Sequence, residues 1–116
     1  MDGPTRRLAV VPEPLPPTVG LGVLHLFCAV TPLADAESVT TAVKAAQADG
    51  LQVVPVAVLG HKADLAFMIL GEDLWRLRRL QADLQAAGLQ IVDSYVSLTE
   101  LSEYAQGVPD EMKQAR

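Results

Sequence analysis

Gly60-His61-Lys62-Ala63-Asp64-Leu65-Ala66-Phe67-Met68-Ile69-Leu70-Gly71 runs from a polar loop directly into an apolar segment. The segment is short, bounded by glycines and too brief for a buried helix, so it reads as a strand. Side chains alternate across a sheet, which sends Leu65, Phe67 and Ile69 to one face and Ala66, Met68 and Leu70 to the other. Neither set suits water. The strand therefore needs cover on both sides, and the remaining chain can be read as the source of that cover.

Upstream, Leu21 to Val30 repeats the pattern, with His25, Phe27 and Ala29 on one face and Leu24, Leu26, Cys28 and Val30 on the other. Thr31-Pro32 breaks it. Asp35 or Ser38 can cap a following helix in which Val39, Ala42, Val43 and Ala46 fall at helical spacing, and Gly50 ends that helix. Leu51 to Leu59 is a valine-rich strand, and Pro55 marks it as an edge or a bulge because proline cannot donate to a ladder. After the opening segment, Gly71-Glu72-Asp73 forms a turn and cap for a helix from Leu74 to Ala87. Its stripe is Leu74, Leu77, Leu80 and Leu84, with Arg76, Arg79, Gln81 and Asp83 left for the wet side. Gly88 stops it, and Leu89 to Leu101 is the last strand.

An internal echo supports this parse. Gly50-Leu51-Gln52-Val53-Val54 recurs as Gly88-Leu89-Gln90-Ile91-Val92, each at the exit of a helix and the entry of a strand. The order strand, helix, strand, strand, helix, strand is that of a ferredoxin-like α+β fold, an antiparallel sheet with both helices on one face. Two helices cover one face of four strands. The other face is expected to pack against a second sheet, giving a barrel of the dimeric α+β type, and Leu24, Leu26, Leu65 and Phe67 are expected among the residues needing that borrowed cover. Residues 1–20 hold five of the eight prolines and read as an extended arm, 21–104 as the ferredoxin-like domain, and 105–116 as a polar tail or the start of a connector.

Composition narrows the function. The chain has 116 residues, half of them hydrophobic, and its nine basic and fourteen acidic residues leave a net charge of −5. That balance lacks the cationic excess that neutralises nucleic-acid phosphates or an anionic membrane. RNA binding on the open sheet would also need stacking platforms, and the central strands offer Phe27 and Phe67 alone. Cys28 is the single cysteine, which excludes an internal disulfide and a two-cysteine redox or zinc motif and points to a reducing, cytoplasmic setting. Arg6-Arg7 precedes an apolar run of four residues ended by Pro12, too short for a signal-peptide core or a membrane span.

Few residues suggest chemistry. His25 sits mid-strand among apolar neighbours, where a histidine is more often buried and hydrogen-bonded, or at an interface, than a metal ligand. His61 and Asp64 could form a dyad, although no nucleophile accompanies them, and local turn bonding is the plainer reading. Arg76, Arg78 and Arg79 could bind an anion or line a solvated helix face. Ser94, Ser97, Thr99 and Ser102 lack a nucleophile elbow, Glu100 and Glu103 read as surface charge, and Cys28 reads as a core residue. No phosphate loop, metal spacing or triad is present. The residues provide no catalytic or metal site.

The Gly60-His61-Lys62-Ala63-Asp64 run, the leucine-rich helix after it, and Ser94-Tyr95-Val96-Ser97-Leu98-Thr99-Glu100-Leu101-Ser102-Glu103-Tyr104 together resemble the first half of the chlorite dismutase family, which includes the coproheme decarboxylases, or hydrogen-peroxide-dependent heme synthases. The likeness runs from about Leu24 to Tyr104. It implies two ferredoxin-like halves whose sheets form one barrel, assembly into larger oligomers, and heme or coproheme held in the second half by a proximal histidine there. The catalytic tyrosine and distal arginine of relatives also lie beyond the matched region. The chain would then be a heme-free half partnered by a porphyrin-binding half. Arg116, where a basic connector would begin, is the one position the resemblance offers to porphyrin carboxylates. Asp93 stands where relatives often carry an aromatic residue, and His25 and Phe27 where bulkier aromatics are common. A stand-alone homo-oligomeric scaffold or small-ligand binding module without activity is the alternative.

Overall fold

The structure, a computed structural model, describes residues 12–17 and 20–99. Its elements are β1 (Gly22–Val30), α1 (Ala36–Ala48), β2 (Gln52–Ala57), β3 (Leu65–Gly71), α2 (Leu74–Ala86) and β4 (Leu89–Leu98). The four strands form one antiparallel sheet in the order β2-β3-β1-β4. This is the ferredoxin-like α+β arrangement, with the two most apolar strands at the centre. Pro55 lies on β2, which is an edge strand, as its missing N–H requires.

Local chemistry sets the boundaries. Asp35 caps α1 by accepting from the Ser38 N–H, and the hydrogen bonds from the Ser38 hydroxyl and backbone hold its carboxyl below the usual carboxylate range. At the other end the Gly50 N–H donates to Gln47 and the Leu51 N–H to Ala46, a Schellman closure that keeps Leu51 out of β2. Gly88 repeats the corner after α2, donating to Gln85. Gly50 and Gly88 both have positive φ, +93° and +96°, while the leucines that follow them are buried. The echoed pentapeptides are therefore the same corner built twice. β3 starts at Leu65 because the two residues before it have other duties: Ala63 is buried and Asp64 bonds back to β1. β4 ends at Leu98, and the rest of the expected strand to Leu101 begins with Thr99 outside it and then passes beyond the described residues.

The core lies on one side of the sheet. Leu26, Cys28, Phe67 and Ile69 are almost fully buried against Leu77, Leu80 and Leu84 of α2 and the small residues Ala42 and Ala46 of α1. Leu24 and Phe67 are buried and Leu65 packs against the same cluster, so the set expected to need borrowed cover is the one the helices take. The set left partly open is the opposite one: His25 and Phe27 on β1 opposite Met68 and Ala66 on β3, with Leu70 beside Val23, which shares this face but is itself buried. Alternation alone separates the two sets and does not say which one the helices choose. Gly22 and Gly71 decide it, because side chains of Leu74, Leu77 and Leu51 occupy the space a Cβ would fill on that side.

A bulge in β4 completes the partition. Phe27 pairs with Asp93 but Cys28 with Ile91, leaving Val92 as the extra residue. Ile91 can then join the core while Asp93, two residues on, turns to the open face.

The two corners differ in one testable respect. At Gly50 a Cβ meets open space, so Gly50→Ala carries only the left-handed backbone penalty, about 1–2 kcal/mol. At Gly88 the same atom would collide with the Leu33 carbonyl and the Ala34 nitrogen. Chemical denaturation should therefore show Gly88→Ala to be clearly the more destabilising of the two.

Candidate functional site

The open face of the sheet is the candidate site. Its β2 and β3 side is apolar, with Val54 and Val56 beside Met68 and Ala66. Its β4 side is mixed, because Asp93, Tyr95 and Ser97 stand across from Phe27, His25 and Val23. Met68, Leu70, His25 and Phe27 are half-buried, whereas Val56 is 47% and Tyr95 64% exposed. The corresponding positions of β1 and β3 on the helix side are at most 5% exposed at Leu24, Leu26, Phe67 and Ile69.

His25 is the centre of this face. It lies between Met68 and Tyr95, and the Tyr95 ring meets it edge-on at a centroid distance of 6.0 Å. Its Nδ1 is buried and has no hydrogen-bond partner among the described residues. A buried unsatisfied ring nitrogen is costly, so this atom marks a place where the fold leaves a polar demand unmet.

Lys62 closes one end of the face. Its Nζ stands 4.4 Å from the centroid of Phe27 and 3.3 Å from Asp93 Oδ2. The ammonium thus combines a cation–π contact with an ion pair, and both groups remain more than half exposed. Sequence reading treats Lys62 as a loop charge and Asp93 as a departure from an aromatic position. The signal that could have joined them is the lone charge in β4 together with the Phe27–Asp93 register.

Asp64 has a structural task. Its Oδ2 accepts from the Val30 N–H at 2.8 Å, its N–H donates to Cys28 O, and its carbonyl accepts from Val58. The Gly60 to Asp64 loop is in this way tied to the end of β1. His61 is exposed, and among the described residues nothing bonds it to Asp64, so the dyad is not assembled.

The remaining candidates are dispersed. Arg76 pairs with Asp49 and Asp73, Arg79 pairs with Asp83, and Arg78 is exposed on the same helix. Cys28 is fully buried, and desolvation pushes its thiol up, away from reactivity. Ser94 and Ser97 are strand residues, and Thr99 Oγ1 accepts from the Leu21 N–H. Ser102, Glu100, Glu103 and Arg116 lie outside the described residues. No group of three metal-ligating side chains occurs among the described residues.

A porphyrin would need an axial ligand, cations for its carboxylates and a cavity. The described part of the open face presents one imidazole and one ammonium already engaged with Asp93. Clefts of about 530 and 830 Å3 lie elsewhere, one beside Pro14 and Pro16 and one between the helices at Trp75, and His25 lines neither. The described residues do not by themselves fit the group. The arm contributes to the first cleft, where Leu15 exchanges two hydrogen bonds with Asp73 and Leu74 at the start of α2.

These features define a ferredoxin-like α+β domain with a core under one sheet face and a half-exposed apolar face on the other. The family model for chlorite dismutase matches residues 33–116, and the chain belongs to the chlorite dismutase family. No curated protein matches the sequence. Among solved structures, the chain is similar to a heme-binding protein from Thermus thermophilus, at 26% identity and a TM-score of 0.53, over 79% of this chain and 51% of that one. It also matches a mutant chlorite dismutase from Candidatus Nitrospira defluvii in complex with cyanide, at 16% identity and a TM-score of 0.57, over 84% of this chain and 47% of that one. A second mutant of the Nitrospira enzyme gives 16% identity and a TM-score of 0.54, over 84% of this chain and 48% of that one. The chain thus spans about half the length of these solved relatives. No helix among the described residues is long and apolar enough to cross a membrane.

The tie from Asp64 to Val30 separates a structural loop from a catalytic one. Asp64→Ala should lower stability by about 1–2 kcal/mol, because it strips the Val30 N–H of a charged acceptor. His61→Ala should change it by less than about 0.5 kcal/mol. Urea denaturation of both variants checks the pair.

Proposed function

We propose that this chain is the heme-free structural half of a chlorite dismutase-like or coproheme decarboxylase-like heme oxidoreductase. Its open sheet face pairs with a second ferredoxin-like half, supplied by another stretch of polypeptide or another chain, and heme or coproheme is held there. The observation that carries this reading is the half-exposed apolar face centred on His25, whose Nδ1 has no partner among the described residues. Membership of the chlorite dismutase family and the length of the solved relatives, about twice that of this chain, support it.

In this reading the chain acts through packing. Met68, Leu70, Val54 and Val56 exclude water from the join, and His25 meets a donor or acceptor from the opposing sheet. The bound group supplies the redox chemistry, and its ligand and catalytic residues belong to the second half. Arg116 at the connector is the position of this chain proposed to approach the porphyrin carboxylates. The setting proposed is cytoplasmic, in keeping with a single, buried cysteine.

A second reading, a homo-oligomeric scaffold or small-ligand binding module without catalytic activity, draws on the same face, since a copy of the chain presents an equally apolar surface.

Coproheme and heme titrations followed in the Soret region test the proposal. The chain alone is expected to give no saturable band, and a band should appear when a second half carrying the histidine is added. Met68→Glu, a charge set in the middle of the open face, should abolish association and leave the helix-side core intact. Tight coproheme binding by the isolated chain, lost in His25→Ala or His61→Ala, would overturn the assignment. A symmetric dimer that is spectrally silent with both porphyrins would favour the second reading.

A further inference from the structure

The two edges of the sheet are finished differently. On β2 the Val58 N–H donates inward to the Asp64 carbonyl, so by alternation Val56 and Val54 also face β3 and position 55 faces outward. Pro55 thus removes the central donor of that edge, and the strand has only six residues. Just past β4 the Thr99 N–H donates inward to the Leu21 carbonyl, which sets Ser97 and Tyr95 toward β1 and turns the backbone groups of Ser94, Val96 and Leu98 outward. The Ser94 N–H is satisfied by the carboxylate of its neighbour Asp93 at 2.8 Å. Val96 and Leu98 have no such guard among the described residues, and their side chains are 68% and 51% exposed.

This edge has ten residues, a single charge and no proline. Long, apolar and unguarded edges are templates for another strand. We propose that the outer edge of β4 from Ser94 to Leu98 is a strand-addition site whose occupant is the same strand of a second copy of this chain, antiparallel about a two-fold axis at Val96. The site is the sheet edge and not the open face, and it requires that a second sheet covering that face leave this edge unpaired.

Charge selects this occupant and this direction. The chain carries a net charge of −5, so two copies can approach only where carboxylates are sparse, and Ser94 to Leu98 has none. Antiparallel pairing centred on Val96 sets Ser94 opposite Leu98 of the second copy. It places the two Asp93 side chains about 20 Å apart along the strands, beyond a Debye length at physiological ionic strength. Parallel pairing would put them side by side, a like-charge contact that destabilises a sheet. In the antiparallel arrangement each Asp93 also keeps its bond to Lys62.

Sedimentation velocity over a concentration series, with residue-level hydrogen exchange, tests the site in the full chain. A reversible dimer is expected, in which the Val96 and Leu98 amides are protected at high concentration and exposed on dilution, while Tyr95 and Ser97 stay protected throughout. Val96→Pro removes an outward donor that none of the described residues uses, and should weaken the dimer by at least about tenfold without unfolding it. Val96→Lys keeps the donor and should weaken it as well, so the pair remains decisive if the proline variant fails to fold. A chain that stays monomeric, protection of Val96 and Leu98 at every dilution, or a dimer indifferent to both variants would each overturn the proposal. In the last case, loss of the dimer in Met68→Glu would leave the open-face reading standing by itself.

Discussion

A sheet with apolar side chains on both faces has a problem that its own helices solve once. In β3 the alternation gives two complete sets, and α1 and α2 can lie on only one of them. Size decides between the sets as well as hydrophobicity. Phe67 and Ile69, with Leu24 and Leu26 of β1, meet a leucine stripe on α2 and the alanines of α1, so the larger residues are buried where the helices approach most closely. Gly22 and Gly71 permit that approach by leaving room for the α2 leucines and Leu51. The opposite set is smaller and more varied, with alanine, methionine and histidine at the centre of the sheet, which is a composition suited to adapting to another surface.

The boundary of the open face is built from backbone devices. The bulge at Val92 lets one strand supply Ile91 to the core and Asp93 to the other side within three residues. The Gly60 to Asp64 loop, held to β1 through Asp64, brings Lys62 over Phe27 and into contact with Asp93. One end of the face therefore carries a fixed charge pair, while the β2 and β3 side has none. A second sheet arriving on this surface would find its apolar area on one side and a polar rim on the other, an asymmetry that fixes its orientation.

Most of the fold is legible in the sequence because period-2 alternation, helical stripes and the repeated glycine corners are all local signals. Pro55 even narrows its strand to an edge or a bulge, and the cap of α1 is narrowed to Asp35 or Ser38; the structure has the edge and Asp35. What is not legible depends on register. Leu24, Leu26, Leu65 and Phe67 can be grouped as needing cover, but whether the helices supply it requires three-dimensional packing around two glycines. The Lys62–Asp93 contact joins residues far apart in the chain and exists because the bulge rotates Asp93 onto the face where the loop hangs. His61 and Asp64 look like possible partners in sequence, yet their spacing says nothing of Val30, whose N–H claims the carboxylate. The family, by contrast, is readable from two motifs, since such runs record the loop and strand chemistry that positions them.

The polar inventory of the open face also limits what can cover it. Asp93 is bound by Lys62 and by the Ser94 N–H, and Tyr95 keeps solvent contact. Among the described residues, His25 Nδ1 alone is withdrawn from water without compensation. Leaving such an atom unpaired costs about 1–3 kcal/mol, a sizeable share of the roughly 5–15 kcal/mol that stabilises a typical domain. A purely hydrocarbon cover would make that cost permanent. A sheet that sets a hydroxyl, amide or carbonyl opposite His25 would remove it, and would gain that amount over any register in which the polar group is displaced by two residues. In the proposed pairing the histidine therefore serves as a register mark rather than as an isolated ligand, and apolar area supplies the attraction that it directs.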